Sequence, residues 1–129
     1  MTALQPFEYV VLRVVPRVDR GESINAGVVV YSRALEFLGC RVHLDRGRLA
    51  ALDPSADADL IDRALESISG VCGNAPGAGP AAGEEIGRRF RWLTAPRSTV
   101  VQPGPVHTGL TADPGAELDR LLQLLVLPR

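Results

Sequence analysis

Residues 20–31 read Arg-Gly-Glu-Ser-Ile-Asn-Ala-Gly-Val-Val-Val-Tyr, and this stretch decides the fold. Its last four residues, Val28 to Tyr31, are β-branched and aromatic without polar alternation, which is typical of a central strand covered on both faces. Gly27 precedes this run, at a position where a glycine often marks a β-bulge or the close approach of another backbone. The polar first half predicts a loop that leads into the sheet.

Further strands are predicted on either side of this stretch. Residues 7–15 are almost continuously apolar between Pro6 and Pro16, which predicts a strand inside the sheet. Residues 36–44 alternate apolar and polar side chains, which predicts a strand with one face in water. The connections between these three strands are short, so they favour an antiparallel meander. A later short strand is predicted over residues 98–102.

Two segments carry an aspartate followed by a proline, which is a signature of a helix start. The carboxylate can cap the first turn, and proline is tolerated at the first helical position. Asp53-Pro54 predicts a helix that ends near Ser69, and Asp113-Pro114 predicts a last helix over residues 117–127. Apolar residues recur at helical spacing in both segments, so each helix has one face that can pack on the sheet.

Three other segments are less regular. Residues 84–93 predict a helix in their first half and fit either a helix or a strand in their second half. Residues 103–112 predict an irregular segment. The glycine- and proline-rich residues 73–83 predict a flexible loop, which is either a spacer or a lid that orders on binding.

Together these segments predict one α+β domain over residues 1–129: a small antiparallel sheet, built from a strand meander plus one later strand, packed with two or three helices. The length suits one domain with its own core. The net charge of −1 argues against a nucleic-acid binder that relies on bulk positive charge. Neither a signal-peptide pattern nor a run as long as a membrane span is found, so the sequence predicts a cytoplasmic protein without membrane attachment.

All 14 basic residues are arginine, and several stand close in sequence to hydroxyl groups. Guanidinium forks and hydroxyl donors are suited to bind carboxylates or phosphates. We therefore predict a polar corner that binds a partner or an anionic ligand, formed by Arg20, Glu22, Asn25, Arg91, Arg97, Ser98, Thr99 and His107. The alternative is structural, with the arginines facing water and pairing with carboxylates.

Catalytic chemistry has weaker support in the sequence. Glu22 or Asp45 would have to pair with His107 for proton transfer, and nothing in their spacing brings them together. Ser98 and Ser23 lack the strained turn that exposes a serine nucleophile. The catalytic residues therefore stay unknown, and the sequence favours a protein that is not an enzyme.

Metal and cofactor sites are not indicated either. His43, His107, Cys40 and Cys72 are the candidate metal ligands, but they lack paired metal-site spacing. The glycines of residues 73–83 follow a helix instead of a strand and bring no lysine, which does not fit a phosphate-binding loop. We expect no metal and no cofactor, and the two cysteines are predicted to be reduced, partly buried thiols.

Five short segments resemble a known family. They read Phe7-Glu8-Tyr9-Val10-Val11-Leu12-Arg13, Arg20-Gly21-Glu22-Ser23-Ile24-Asn25-Ala26-Gly27-Val28, Phe90-Arg91-Trp92-Leu93-Thr94, Pro96-Arg97-Ser98-Thr99 and Pro105-Val106-His107. Over nearly its whole length the chain resembles the bacterial family known as domain of unknown function 3037. The Gly-Glu-x-x-Asn-x-Gly-Val and Pro-Arg-Ser-Thr segments are the most distinctive parts of the resemblance.

The resemblance implies a small, soluble bacterial protein and assigns no activity. Such proteins are associated with gene neighbourhoods that encode HipA-like kinases, so the resemblance implies an accessory role beside such a kinase as its protein partner.

The sequence therefore favours a non-enzymatic accessory module whose polar corner binds a protein partner or an anionic small molecule. The alternative is an enzyme or binding protein that acts on a phosphorylated or nucleotide ligand, with His107 and Glu22 in proton transfer. A nucleic-acid binder is the third hypothesis, disfavoured by the net charge. Surplus apolar residues on the last helix, Leu124, Val126 and Leu127, would suit a homodimer contact through that helix.

Overall fold

Strand β1 (Gln5–Val14) runs through the middle of the sheet, as its apolar sequence predicts. The computed structural model of the chain describes residues 3–73, 85–97 and 99–128. Val10, Leu12 and Val14 of β1 have almost no exposed surface, at 0%, 1% and 0%. Because buried backbone groups must be hydrogen-bonded, a strand this deeply buried requires partners along both edges.

The sheet is antiparallel throughout. One edge of β1 pairs with β2 (Ile24–Ser32), and β2 pairs with β3 (Phe37–Val42), which gives the predicted meander. The other edge of β1 is shared by two short strands. Its C-terminal end pairs with β4 (Val101–Pro103), and its N-terminal half pairs with β5 (His107–Thr111).

A β-bulge interrupts the pairing of β1 with β2 between Leu12 and Arg13, where Ala26 is an extra residue in β2. A Cβ atom on Gly27 would lie 3.0 Å from the carbonyl oxygen of Arg41 and 3.1 Å from Cδ1 of Leu12. The backbone of β3 therefore leaves little room for a side chain at position 27. Of the two alternatives predicted for Gly27, the close approach of another backbone is observed at Gly27 itself, and the bulge lies one residue earlier, at Ala26.

Helices cover both faces of this sheet. In the described part of the chain they are α1 (Arg46–Leu52), α2 (Ala58–Cys72), α3 (Ile86–Thr94) and α4 (Pro114–Leu125). Helices α2 and α3 pack over one face, and α4 packs over the other, against β2 and β3. The predicted α+β class is confirmed, with four helices and with two later strands in place of one.

The two cores explain the composition of β2. Val29 and Tyr31 belong to the core under α2 and α3, whereas Val28 and Val30 belong to the core under α4. Successive strand residues point to opposite faces, so both faces of β2 must be apolar when helices cover both. This arrangement confirms the prediction of a central strand covered on two sides.

Asp113 begins the last helix as predicted. Its carboxylate accepts a hydrogen bond from the backbone N–H of Ala116 at 3.1 Å, and Pro114 occupies the first turn. Helix α4 then buries Leu118 and Leu121 against the sheet and ends at Leu125.

The same sequence pattern at Asp53 has a different outcome, and the prediction of a helix start there is wrong. Asp53 ends α1, since its backbone N–H donates to the carbonyl of Leu49 at 2.9 Å. Its carboxylate accepts hydrogen bonds from the hydroxyl and backbone N–H of Ser55, which lower the pKa of Asp53 and hold Pro54 in a turn. Helix α2 begins later, with Asp57 as its N-cap, and it ends at Cys72 instead of near Ser69.

Three segments late in the chain refine or correct the prediction. Helix α3 continues through the half that the sequence left open between helix and strand. The later strand predicted over residues 98–102 forms as β4, which begins only at Val101 and ends at Pro103. The prediction of irregular structure over residues 103–112 is wrong because β5 forms there. The sequence of β5 has weak strand propensity, and its pairing with β1 supplies the missing stabilisation. Residues 74–83 of the predicted flexible loop lie outside the described residues.

None of the described helices combines the length and the apolar character that crossing a membrane requires.

Candidate functional site

The residues of the predicted polar corner lie in several separate places. Arg20 and Glu22 form an exposed ion pair in the loop between β1 and β2, with Nε of Arg20 2.5 Å from Oε1 of Glu22. The side-chain amide of Asn25 donates a hydrogen bond to the carbonyl oxygen of Leu125 at 3.0 Å. That bond connects the start of β2 to the end of α4, so these three residues have structural partners within the chain.

Arg91 and His107 lie on opposite faces of the sheet. Nη2 of Arg91 donates to both carboxylate oxygens of Glu8, at 3.2 and 3.0 Å. The ring of His107 stacks on Tyr9, with the ring centroids 5.1 Å apart. Glu8 and Tyr9 are neighbours in β1 and point to opposite faces, so Arg91 and His107 do not face a common site.

The proton-transfer pair of the enzyme hypothesis is also separated. His107 pairs with Tyr9 in the middle of β1, whereas Glu22 lies in the loop beyond Val14. At about 3.3 Å per residue, the part of β1 between Tyr9 and Val14 spans about 17 Å. Glu22 and His107 therefore do not meet in this structure.

Arg97 and Thr99 do share one surface, a groove between α2, the end of α3 and β4. The guanidinium carbon of Arg97 lies 4.3 Å from the ring centroid of Trp92, and its Nη2 donates to the Trp92 carbonyl at 2.5 Å. The hydroxyl of Thr99 donates to the carbonyl of Val101 at 2.8 Å. Ser98 lies outside the described residues.

We call this surface the α2–α3 groove, and it has a volume of about 500 Å³. Its lining includes Leu60, Ala64, Ile68, Trp92, Arg97 and Val100. Burial lowers the pKa of Arg97, because the stacked guanidinium has lost part of its hydration. The groove combines a large apolar surface with a partly desolvated cation.

A second concavity, which we call the end cleft, was not found by sequence reasoning. It has a volume of about 710 Å³ and lies beside the N-terminal half of β1, where its lining includes Pro6, Glu8, Tyr31, Arg33, Arg91 and Thr108. Of these residues, Arg91 alone belongs to the predicted polar corner. A lone carboxylate inside the apolar run of β1, Glu8, is the signal that could have identified this cleft.

The two cysteines meet in the core between α2 and β3. Both are free and buried, which confirms the prediction of free thiols but places them deeper than the sequence suggested. A hydrogen bond with the Cys72 thiol, together with burial, raises the pKa of the Cys40 thiol far above its ordinary value. Within the described ranges, no three His, Cys, Asp or Glu residues are grouped so that they could hold a metal ion.

We expect native Cys40 to resist alkylation by iodoacetamide. The thiolate is the reactive form, and both burial and the raised pKa keep its population small. In guanidinium chloride the two cysteines should be alkylated rapidly, which mass spectrometry of peptides would quantify. Equal alkylation rates of Cys40 in native and unfolded protein would contradict the buried hydrogen-bonded pair.

The model of a family described as a protein of unknown function, DUF3037, matches residues 9–126. The chain belongs to this family. The match extends from the middle of β1 to the residue after α4, so the DUF3037 region contains most of the sheet and every described helix. Neither the curated proteins nor the solved structures contain a match to the chain.

In this DUF3037 protein, the Gly-Glu-x-x-Asn-x-Gly-Val segment builds the connection from β1 to β2. Gly21 adopts φ of 71°, a left-handed conformation that glycine tolerates best. Asn25 then connects β2 to α4, and Gly27 admits the backbone of β3. Each of these motif residues has a structural role here, and a binding role for the segment stays a prediction.

Homodimerisation through α4 also stays a prediction. Leu124 and Leu125 are 43% and 36% exposed on that helix, whereas Val126 is buried at 2%.

Proposed function

We propose that this protein is a non-enzymatic, cytoplasmic accessory module that binds a protein partner through the α2–α3 groove. The observation that carries this proposal is the exposure of three large apolar side chains around the groove: Leu60 is 55% exposed, Trp92 41% and Val100 38%. Exposed apolar residues are ordinary when scattered, but residues collected around one groove mark an interaction surface.

The chemistry of the groove supports a protein partner. Tryptophan and arginine are the residue types most enriched among the side chains that dominate binding energy at protein interfaces. Here the Arg97 guanidinium is stacked on the Trp92 ring, which fixes both groups before a partner binds. A pre-organised pair loses less side-chain entropy on association than two mobile side chains do.

The groove also indicates what the partner presents. Arg63 lines it together with Arg97, so cations accompany the apolar surface. Burial has removed part of the water around the Arg97 guanidinium. A carboxylate on the partner would replace the lost hydration with a charge-assisted interaction. We therefore propose an amphipathic segment that places apolar side chains in the groove and an acidic side chain beside Arg97. A HipA-like kinase is the first candidate partner, because the family resemblance suggested it.

Truncation of Trp92 tests this proposal. Tagged wild-type protein and a Trp92→Ala variant would be purified from the native cells at low salt, and co-purifying proteins would be quantified by mass spectrometry. Loss of a central interface tryptophan costs about 2 kcal/mol or more, which corresponds to at least about 30-fold weaker binding. A partner present with the wild type should therefore be nearly absent with Trp92→Ala.

Leu110→Ala provides the matched control, since Leu110 is 61% exposed but lies on β5, outside the groove. It should retain the partner at the wild-type level. An Arg97→Ala variant should recover less of the partner than the wild type does. The reduction should be larger for a partner with an acidic segment than for one without it. Equal recovery of the same protein with wild type, Trp92→Ala and Arg97→Ala would show that the groove is not the binding surface.

A further inference from the structure

We propose that the end cleft is a binding site for a small organic acid, in which one carboxylate group is joined to an apolar body. The cleft is separate from the α2–α3 groove. Its volume of about 710 Å³ falls within the range of pockets that enclose small ligands, about 300–1,000 Å³. Its lining is mainly apolar and includes a few polar groups.

Arg91 is fixed at the wall of this cleft. Its Nη2 donates to both oxygens of Glu8, and its guanidinium carbon lies 5.3 Å from the ring centroid of Phe90. A guanidinium has five N–H donors, and these bonds use one nitrogen, so the others can donate to a ligand. The Arg91 side chain is 60% exposed, which leaves it accessible from the cleft.

Arg33 contributes the charge that is not balanced within this cleft. It lies in the turn after β2, and no hydrogen bond or ion pair engages its guanidinium anywhere in residues 3–73, 85–97 or 99–128. Glu8 offsets one of the two arginines, so among the residues that line the cleft itself one positive charge remains in excess. An anionic group between Arg33 and Arg91 would neutralise that charge through charge-assisted hydrogen bonds.

The surroundings limit the charge of the ligand. A second lobe of about 680 Å³ adjoins the cleft, shares Tyr31 and Arg33 with it and is lined by Glu36 and Glu85. These carboxylates repel additional negative charge near Arg33. The site is therefore suited to an acid with one negative charge, and it discriminates against ligands with several.

The apolar body of the ligand would lie against Pro6 and Tyr31. The Tyr31 ring is held in place by its stack on Phe90, with the ring centroids 4.9 Å apart. The Thr108 hydroxyl, on β5, supplies a neutral hydrogen-bonding group on the same cleft lining.

Three aromatic probes of similar size test the site: benzoate, phenyl phosphate and the neutral benzyl alcohol. Amide shifts in two-dimensional NMR would be followed during titration of the wild-type protein. We expect benzoate to shift the amides of Tyr31, Arg33 and Thr108, and benzyl alcohol to bind at least about tenfold more weakly, because it lacks the charge-assisted bonds. Phenyl phosphate carries nearly two negative charges at neutral pH, so it should bind more weakly than benzoate because Glu36 and Glu85 oppose the second charge.

Arg33→Ala should weaken benzoate binding about tenfold, and Arg91→Lys, which keeps the charge but loses the planar fork, should weaken it less. Arg48→Ala is the matched control, since Arg48 is an exposed arginine on α1 that lines neither concavity. This variant should bind benzoate with the same affinity as the wild type.

The proposal is overturned if benzoate shifts the cleft amides no more than benzyl alcohol does, or if phenyl phosphate binds more tightly than benzoate. It is also overturned if Arg33→Ala binds benzoate as tightly as Arg48→Ala does. Because Trp92→Ala leaves the cleft lining intact, benzoate binding to that variant separates a failure of this inference from a failure of the partner-binding proposal.

Discussion

Phe90→Ala is expected to lower the free energy of unfolding by about 3–5 kcal/mol, the range found when a fully buried phenylalanine is truncated. Phe90 has no exposed surface and lies in the core under α2 and α3. Its ring stacks on Tyr31 at 4.9 Å between centroids, so the truncation removes a ring contact as well as buried apolar area. The cavity would open between α3 and β2, where neither element can close it without moving.

Chemical denaturation followed by circular dichroism would measure this change. Phe90→Leu is the graded control, because it keeps part of the buried apolar volume and should lower the free energy of unfolding less than Phe90→Ala does. If Phe90→Ala lowered the free energy of unfolding no more than Phe90→Leu does, Phe90 would not be the residue that holds α3 in place.

Leu118→Ala is expected to lower the free energy of unfolding by about 2–5 kcal/mol. Leu118 is 1% exposed and belongs to the core on the other face of the sheet, with Val28 and Val30 of β2. Its packing is close, since a Cβ atom on Gly39 of β3 would lie 3.0 Å from Cδ2 of Leu118. The loss of Leu118 would therefore weaken the attachment of α4 to both β2 and β3.

Leu124→Ala on the same helix is the matched control. Leu124 is 43% exposed, so the identical substitution should change the stability by less than about 1 kcal/mol. The same denaturation experiment measures both variants. If Leu118→Ala cost no more than Leu124→Ala, the second core under α4 would not contribute to stability as the structure indicates.

Helix α3 connects stability to both proposed binding surfaces. Phe90 and Leu93 anchor its buried face, while Arg91 lines the end cleft and Trp92 lines the α2–α3 groove. Neighbouring helical residues point about 100° apart, so one short helix can serve two separate surfaces. A variant that displaces α3 should therefore affect both surfaces, whereas Arg33→Ala and Arg97→Ala should each affect one.

The candidate sites were predicted less completely than the fold. The density of polar residues identified Arg97 and Thr99, which do share the α2–α3 groove, and it identified Arg91, which lines the end cleft instead. The sequence did not indicate Arg33 or Tyr31 as cleft residues. Arg33 stands alone in a turn, and Tyr31 reads as an ordinary strand residue, so only their positions in space give them a common surface.

The sequence by itself determined the features that depend on neighbouring residues. β-Branched runs specified β1 and β2. The Asp113 carboxylate specified the start of α4, because it accepts a hydrogen bond from a backbone N–H in the first turn of that helix. The tertiary structure alone decided the features that join distant residues. Arg91 and Glu8 meet across 83 positions of the chain, and the amide of Asn25 reaches the Leu125 carbonyl across 100. Such contacts form only when the sheet and helices are assembled, because local propensity carries no information about which distant surfaces will face each other.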